Sequence, residues 1–396
     1  MLTIIQEPSE VTPAYNPINF VVESDNVAEL SFQYVFDLYI RGVFISRHRL
    51  PPKTVTGVAR LDVSSIVQSY VTHDINIEDT AFDRNPNSWV DFYIRFGEEY
   101  SVAGVITTYI NLLDSDTHYA VNASIENLSF VDWSTNDFYQ GSTRRFLTNI
   151  NEPNVDENTN LWLHLYHEIP ENIASIIVRN YDSTGSEMNS STFSPTDLSN
   201  AEIGDRFLRI SVGTKNLKEL FGSTFFIGVS YYTVGVVDTV SDFDFEIKRI
   251  NIQDSNCKYT NIPLHFLNVN GGFDVFNFKL ASTKNTSIEK KKYNVMIGSF
   301  NSSNEYVYSE SDRSSTVMTS ANQDTITVNS DWISDSESVW LKELITSPMV
   351  FMEQSNKLIP IQITETKYKT AKKINDKLFN LQITFDFGNE NYRQSY

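Results

Sequence analysis

Phe32, Tyr34, Phe36, Leu38 and Ile40 occupy every second position of one short run, with mostly polar partners between them. Side chains of an extended strand alternate between two faces, so this spacing makes a half-buried strand rather than a helical stripe. Arg41-Gly42 follows, then a second extended run, 43–50, stopped by Pro51-Pro52. Two strands around a glycine turn read as a hairpin. The same signal recurs at 89–96, 105–113, 161–166, 176–181, 207–212, 225–237 and 243–250. It continues at 273–280, 293–300, 325–328, 358–364 and 378–387. Many short strands split by Asn, Asp, Ser and Gly favour sandwiches or barrels over a parallel α/β sheet. The expected fold is mainly β: tandem antiparallel β-sandwich domains, immunoglobulin- or fibronectin-like, with a few short helices.

Three short helices are expected. One lies at 62–71 with Asp62 as N-cap, and one at 216–221 closed by Gly222. The third, 335–345, has Ser334 and Glu337 at capping-box spacing and Pro348 just beyond its end. Each helix follows a group of strands and precedes another strand, a degenerate repeat that predicts three domains of similar plan. Residues 1–16 are expected as an extended N-terminal arm. A β-sandwich domain with a short helix covers 17–128, and a second covers 129–252. A third β-rich domain with helix 335–345 covers 253–396. The polar stretches 147–160 and 253–260 read as linkers.

Charge and cysteine content narrow the function classes. With 31 Lys and Arg against 50 Asp and Glu, the net charge of −19 opposes duplex nucleic-acid binding, which needs clustered cations against phosphate. One cysteine excludes an intrachain disulfide framework. No stretch reaches the roughly 20 apolar residues of a bilayer crossing. The first residues lack a basic, then apolar, export pattern, so synthesis in a cytoplasm is expected. The sequons at Asn122, Asn189, Asn285 and Asn301 read as chance matches in an Asn- and Ser-rich chain.

Candidate chemistry is thin. His164-x-x-His167-Glu168 is the nearest approach to a zinc motif, but on a strand residues three apart face opposite ways. Asn154, Asp156, Asn158 and Asn160 alternate like a calcium loop, without its glycine or closing glutamate, and read as a solvated linker. Asp242, Asp244 and Glu246 share one face of an expected strand and read as an outward polar row. Cys257 has no base beside it in sequence and reads as a small buried residue. No nucleophile elbow or phosphate-binding glycine loop occurs. Lys290-Lys291-Lys292 reads as a turn and the lysines between 367 and 377 as a charged hairpin; either would serve as a docking patch for an acidic partner. No catalytic, cofactor-binding or metal-ligating residue is assigned, and no enzyme activity is expected. Aromatic residues beyond those needed for the core favour protein–protein contact.

Several stretches together resemble a known family. They are Ala14-Tyr15-Asn16-Pro17-Ile18, followed by Phe32-x-Tyr34-x-x-Asp37-x-Tyr39, and Cys257-x-Tyr259. Next come Phe266-Leu267-Asn268-x-Asn270-Gly271-Gly272-Phe273-Asp274-x-Phe276-x-Phe278 and Asp331-Trp332-Ile333-Ser334-Asp335 through Trp340-Leu341-x-Glu343-Leu344 to Ser347-Pro348-x-Val350. Pro360-Ile361-x-Ile363 and the run 378–387 close the set. The pattern resembles virion structural proteins of tailed bacteriophages, of the kind known from phages of marine bacteria and of Bacteroidetes hosts. That resemblance implies a tail or baseplate/adaptor component in the tail region of the virion. Its partners would be other virion subunits, in a homo-oligomeric ring or as repeated copies, with no direct nucleic-acid contact and no membrane insertion. Trp332 and Trp340 are expected as core anchors, Gly271-Gly272 as a tight turn, and residues 1–16 as a strand donated to a neighbour. The alternative is a host-surface or glycan-binding fibre or decoration protein, for which Trp133 and Trp162 would face solvent. A depolymerase would need convergent carboxylates in a cleft.

Overall fold

The computed structural model describes residues 1–53, 55–73, 75, 82–131, 133, 138–139, 143–169, 172–194, 206–239, 244–253, 258–364, 379–388 and 391–392. The fold is mainly β, with several separate antiparallel sheets and few short helices. The chain forms two compact units. The first is Met1–Asp254 with Leu267–Val275, and the second is Ser255–Phe266 with Phe276–Tyr396.

Among the described residues of the first unit, two of the buried clusters are sandwich-like. In one, the strands Leu2–Gln6, Asn19–Ser24 and Ala59–Asp62 form a sheet, opposed by a larger sheet built on Gln33–Ile40 and Trp89–Val102. Phe20 and Val22 from the small sheet meet Phe36, Leu38, Phe92 and Ile94 from the large one. The alternating positions of the 32–40 run are therefore the core positions. The hairpin forms as expected: Ile40 pairs with Val43, and Arg41 and Gly42 both have positive φ, the twist that suits a two-residue hairpin. The helix near 62–71 is a single α turn, Ser64–Val67, continued by a 3-10 turn, Gln68–Tyr70. Asp62 sits one residue before its cap and accepts the Ser64 and Ile18 N–H groups.

Residues 1–16 are not a free arm. Leu2–Gln6 pairs antiparallel with Asn19–Ser24, and Val11–Pro13 pairs parallel with His118–Val121. Leu2, Val11 and Ala14 are buried. The expected arm consists of two strands of its own unit, each too short for alternation to reveal.

The second core joins a five-stranded sheet, including Ile173–Tyr181 and Tyr231–Asp238, to the strands Trp162–Tyr166, Phe207–Ser211 and Phe82–Arg84. Phe82–Arg84 precedes the first core's Trp89–Val102 strand in sequence yet pairs with Phe207–Ser211, so the two cores interlock through the chain path. The stretch 147–160 is no solvated linker: Leu147, Val155 and Asn160 are buried. Its polar groups close the start of helix Thr214–Phe221. Thr214 Oγ1 donates to the Asp156 carbonyl at 2.5 Å, and the Asn216 side chain accepts the Leu161 N–H and donates to Asn160. The 225–237 run is a strand only from Tyr231. Gly222 ends the helix at φ +100°, and the aromatic rings that follow turn inward, with Phe225 4.7 Å from Phe221 and Phe226 5.0 Å from Tyr232.

In the second unit, Thr283–Asn294 is an edge strand paired to the long strand Ser315–Ile333, which in turn pairs with Phe379–Phe387. Helix Asp335–Thr346 has the expected capping box, with Ser334 and Glu337 each satisfying the other's backbone N–H. Trp340 is buried against Phe266 and Phe276. Trp332 is not a core anchor: it is 65% exposed. It lies where the pairing of its strand slips register between Asn329 and Trp332. That irregularity displaces the inward–outward alternation on which the expectation rested.

Candidate interaction surfaces

The most exposed built feature is a ribbon in the second unit. All of Thr283–Asn294 is exposed on both faces. Between 315 and 320 its partner strand pairs with nothing else among the described residues, so the ribbon is two-stranded there. The step from Ala321 back to Ser315 carries it about 20 Å at the usual rise per residue. At its end a small hairpin, Ser299–Phe300 with Tyr306–Val307, holds an aromatic cluster. The Tyr306 ring lies 5.1 Å from Phe300 and 5.4 Å from Tyr308, and its hydroxyl donates to the Ile297 carbonyl. Asn301 accepts the Ser303 and Glu305 N–H groups, which fixes the turn. Phe300 at 68%, Tyr308 at 74% and Met296 at 75% exposure form an ordered apolar tip. Such a tip loses little entropy on docking, which is what a contact surface needs.

Lys290-Lys291-Lys292 lies on this ribbon and is strand, not turn, with a bulge between Lys291 and Lys292. Lysines on an exposed edge discourage unwanted strand pairing. The lysines between 367 and 377 lie outside the described residues, as does Cys257. Sequence reading missed the tip. Its signal was the Asn301-Ser302-Ser303-Asn304 turn directly after an apolar run, but alternation could not show that both faces are wet.

The sequence candidates separate in space. His164 is buried beside His73 and Phe273, whereas His167 faces Asp238 and Phe245. Asp156 and Asn160 serve the helix start described above. Glu246 pairs with Lys248 at 3.1 Å and accepts the Phe146 N–H; Asp242 lies outside the described residues. Among the described residues, no group of three or more His, Cys, Asp or Glu is placed to hold a metal ion. Trp133 and Trp162 are both buried, so neither serves as a sugar platform. An open groove of about 370 Å³ does lie on the five-stranded sheet, lined by Ile177, Arg179, Tyr181, Gly235, Phe245 and Ile247 among others. At its edge Tyr181 stacks on Tyr231 at 4.9 Å, and Arg249 lies 3.9 Å over the Tyr231 ring. No helix among the described residues is long and apolar enough to cross a membrane.

The family-resembling segment around Gly271-Gly272 forms a buried turn of the first unit. The Asn268 side chain accepts the Asn270 and Gly272 N–H groups and donates to the Leu147 carbonyl. Phe273 N–H donates to His164 Nδ1 at 3.2 Å. The proton of the neutral ring then sits on Nε2, which has no hydrogen-bond partner among the described residues. Burial pushes the His164 pKa well down, and repulsion from His73 and Arg209 adds to this. Burial also lowers His167, against the opposing effect of the hydrogen bond that its Nε2 donates to Asp238.

These shifts fix a sign. The fold disfavours the charged form of both rings, so the unfolded chain binds protons more readily than the fold does. Their stabilisation is complete above the ordinary histidine pKa near 6.5 and declines as pH falls below it, by up to about 1.4 kcal/mol per pH unit for each ring. The urea midpoint of the first unit is therefore expected to fall between pH 7 and 5.5, and His164→Asn to reduce that slope. A midpoint that does not change over this range would show that the fold does not disfavour the charged rings.

The charge is unevenly divided. The first unit holds 36 acidic and 16 basic side chains, net −20; the second holds 14 and 15, net +1. No family model matches this sequence, and no curated protein matches it. Among solved structures, it aligns with the Plexin A4 full extracellular region, domains 1 to 10, at 10% identity and a TM-score of 0.18. The alignment covers 98% of this chain and 31% of that one. At that score the likeness carries no argument.

Proposed function

We propose that this chain is a structural component of a tailed-bacteriophage particle, a tail or baseplate/adaptor protein that works by protein–protein assembly and catalyses nothing. One observation supports the reading: an exposed apolar tip on a two-stranded ribbon, which suits a contact surface better than a reaction site. The sequence resemblance supports it, and the residues that carry the central part of that resemblance form a buried turn, a structural rather than a chemical role. Immunoglobulin-like sandwich modules with exposed edges suit repeated copies in a virion. The test is mass spectrometry of purified particles, followed by a reconstruction at side-chain resolution. The chain is expected among the particle proteins, and its absence there would remove the reading. The groove beside Tyr181 and Tyr231 favours a second reading, a glycan-binding decoration protein. Retention of host-surface polysaccharide that is lost in Tyr231→Ala would support it.

A further inference from the structure

The outer face of the five-stranded sheet carries a glycine that the fold does not call for. Gly235 sits inside the strand Tyr231–Asp238, opposite Ile177, in a register unbroken from Tyr231 to Val237. Its φ is not positive, and a Cβ there would meet only Ile247 Cγ1, at 3.9 Å. Glycine weakens the interior of a strand; where no turn, bulge or close packing demands it, it marks a place where a ligand approaches closely. Gly235 lies in the groove described above, with Ile177 and Ile247 beside it.

The groove also holds an unused cation. The Arg179 side chain is exposed and has no ion pair or hydrogen bond among the described residues, and the hydroxyl of Thr233, its register partner, is equally free. Elsewhere in this acidic unit Arg47, Arg49, Arg60 and Arg95 each meet a carboxylate. Arg249, at the groove's edge, already faces Glu152 at 3.6 Å. Of the nearby acids, Asp238 ends its strand and accepts from His167 at 3.0 Å. Glu187 is the register partner of Tyr181 and makes no ion pair with Arg179.

We propose that this groove binds a glycan carrying isolated carboxylates, with Arg179 holding the carboxylate and a sugar ring lying over Gly235 between Ile177 and Ile247. The arginine fork matches a carboxylate bidentately. The strand Ile173–Tyr181 beneath is paired on both sides, so it offers no open backbone edge to an extended peptide. The negative net charge of the unit repels polyanions such as nucleic acid, which leaves a mostly neutral chain with separated carboxylates. The inference rests on the glycan reading of the groove and adds the chemical class and the contact residues.

Calorimetric titration of the full chain tests it, with a tetrasaccharide alternating glucuronate and N-acetylglucosamine and with the carboxyl-reduced form of that sugar. The acidic form is expected to bind at least about tenfold more tightly, and Arg179→Gln to remove the preference. Gly235→Val is expected to abolish binding of both sugars while leaving the melting temperature unchanged or raised, because a β-branched residue suits a strand. A glycine needed only for the fold would instead lose stability on substitution, which circular dichroism reads in both variants. No binding of the acidic tetrasaccharide, undiminished affinity for it in either variant, or tighter binding of the peptide Glu-Gly-Glu-Gly would each overturn the proposal. Equal affinity for the two sugars would defeat it and leave the glycan reading standing. A chain that retains no host-surface polysaccharide would defeat the glycan reading as well.

Discussion

Gly271→Ala is expected to destabilise the first unit by about 3 kcal/mol, lowering its melting temperature by roughly 10 °C. Two separate terms add at this position. Gly271 has φ +88°, a left-handed conformation that costs an L side chain about 1 kcal/mol or more. In addition, a Cβ there would lie 2.7 Å from the Asn122 carbonyl oxygen, a backbone atom. The backbone that carries that carbonyl is pinned, because Asn122 N–H donates to the Ser88 carbonyl and Ser124 N–H donates to the Val269 carbonyl. The turn itself is fixed through Asn268 and through Tyr139, whose hydroxyl donates to the Asn270 carbonyl. Neither side yields without breaking buried hydrogen bonds. Gly104→Ala isolates the first term: its φ is +86°, but nothing lies within 4 Å of its Cβ position. That variant is expected to cost about 1 kcal/mol. Equal losses in the two variants, measured by urea denaturation, would show that the close approach to Asn122 contributes nothing.

The contrast between these glycines bears on how far the sequence could be read. Gly271-Gly272 was legible as a tight turn because glycine pairs mark positive φ. Its partners, at Asn122 and Leu147, lie more than a hundred residues away, and no local pattern encodes such contacts. The same limit explains the buried stretch 147–160. Its run of Asn, Asp, Glu and Thr looks solvated, yet the Thr159 N–H and the Asn160 side chain are taken up by Thr214 and Asn216, which arrive from another part of the chain. Alternation located the core strands, since Phe36, Leu38, Phe92 and Ile94 had to share a face. It misread 225–230, where glycines at 222 and 228 let aromatics point inward from turns. It also could not distinguish a strand buried on one face from the ribbon, exposed on both, because exposure depends on what lies opposite. The candidate surfaces were legible only as a surplus of aromatics and a lysine triplet, without their juxtaposition.

Trp340→Ala is expected to cost the second unit about 3–5 kcal/mol, the range for removing a buried tryptophan. The indole packs 5.4 Å from Phe266 and 6.2 Å from Phe276, on strands whose neighbours supply Val350 and Met352 to the buried set. A single sheet has a limited core, and this helix, with Leu341 and Leu344 beside Trp340, supplies much of what the core strands bury. Alanine would leave a cavity that the sheet cannot collapse to fill. Against the typical 5–15 kcal/mol that holds a domain folded, such a loss brings the unit close to its unfolding threshold. Trp332→Ala provides the matched control. The two tryptophans lie eight residues apart around one helix start and look equivalent in sequence, but Trp332 is largely in solvent and its loss should stay within about 0.5 kcal/mol. Hydrogen exchange resolved by peptide would show the difference: protection across the Val350–Gln354 and Lys357–Ile363 strands should collapse in the first variant and persist in the second. Equal protection in both would mean that the helix does not hold the sheet. The ribbon would then depend on the sheet alone, since its root at Thr325–Asn329 is held by pairing with Phe379–Phe387.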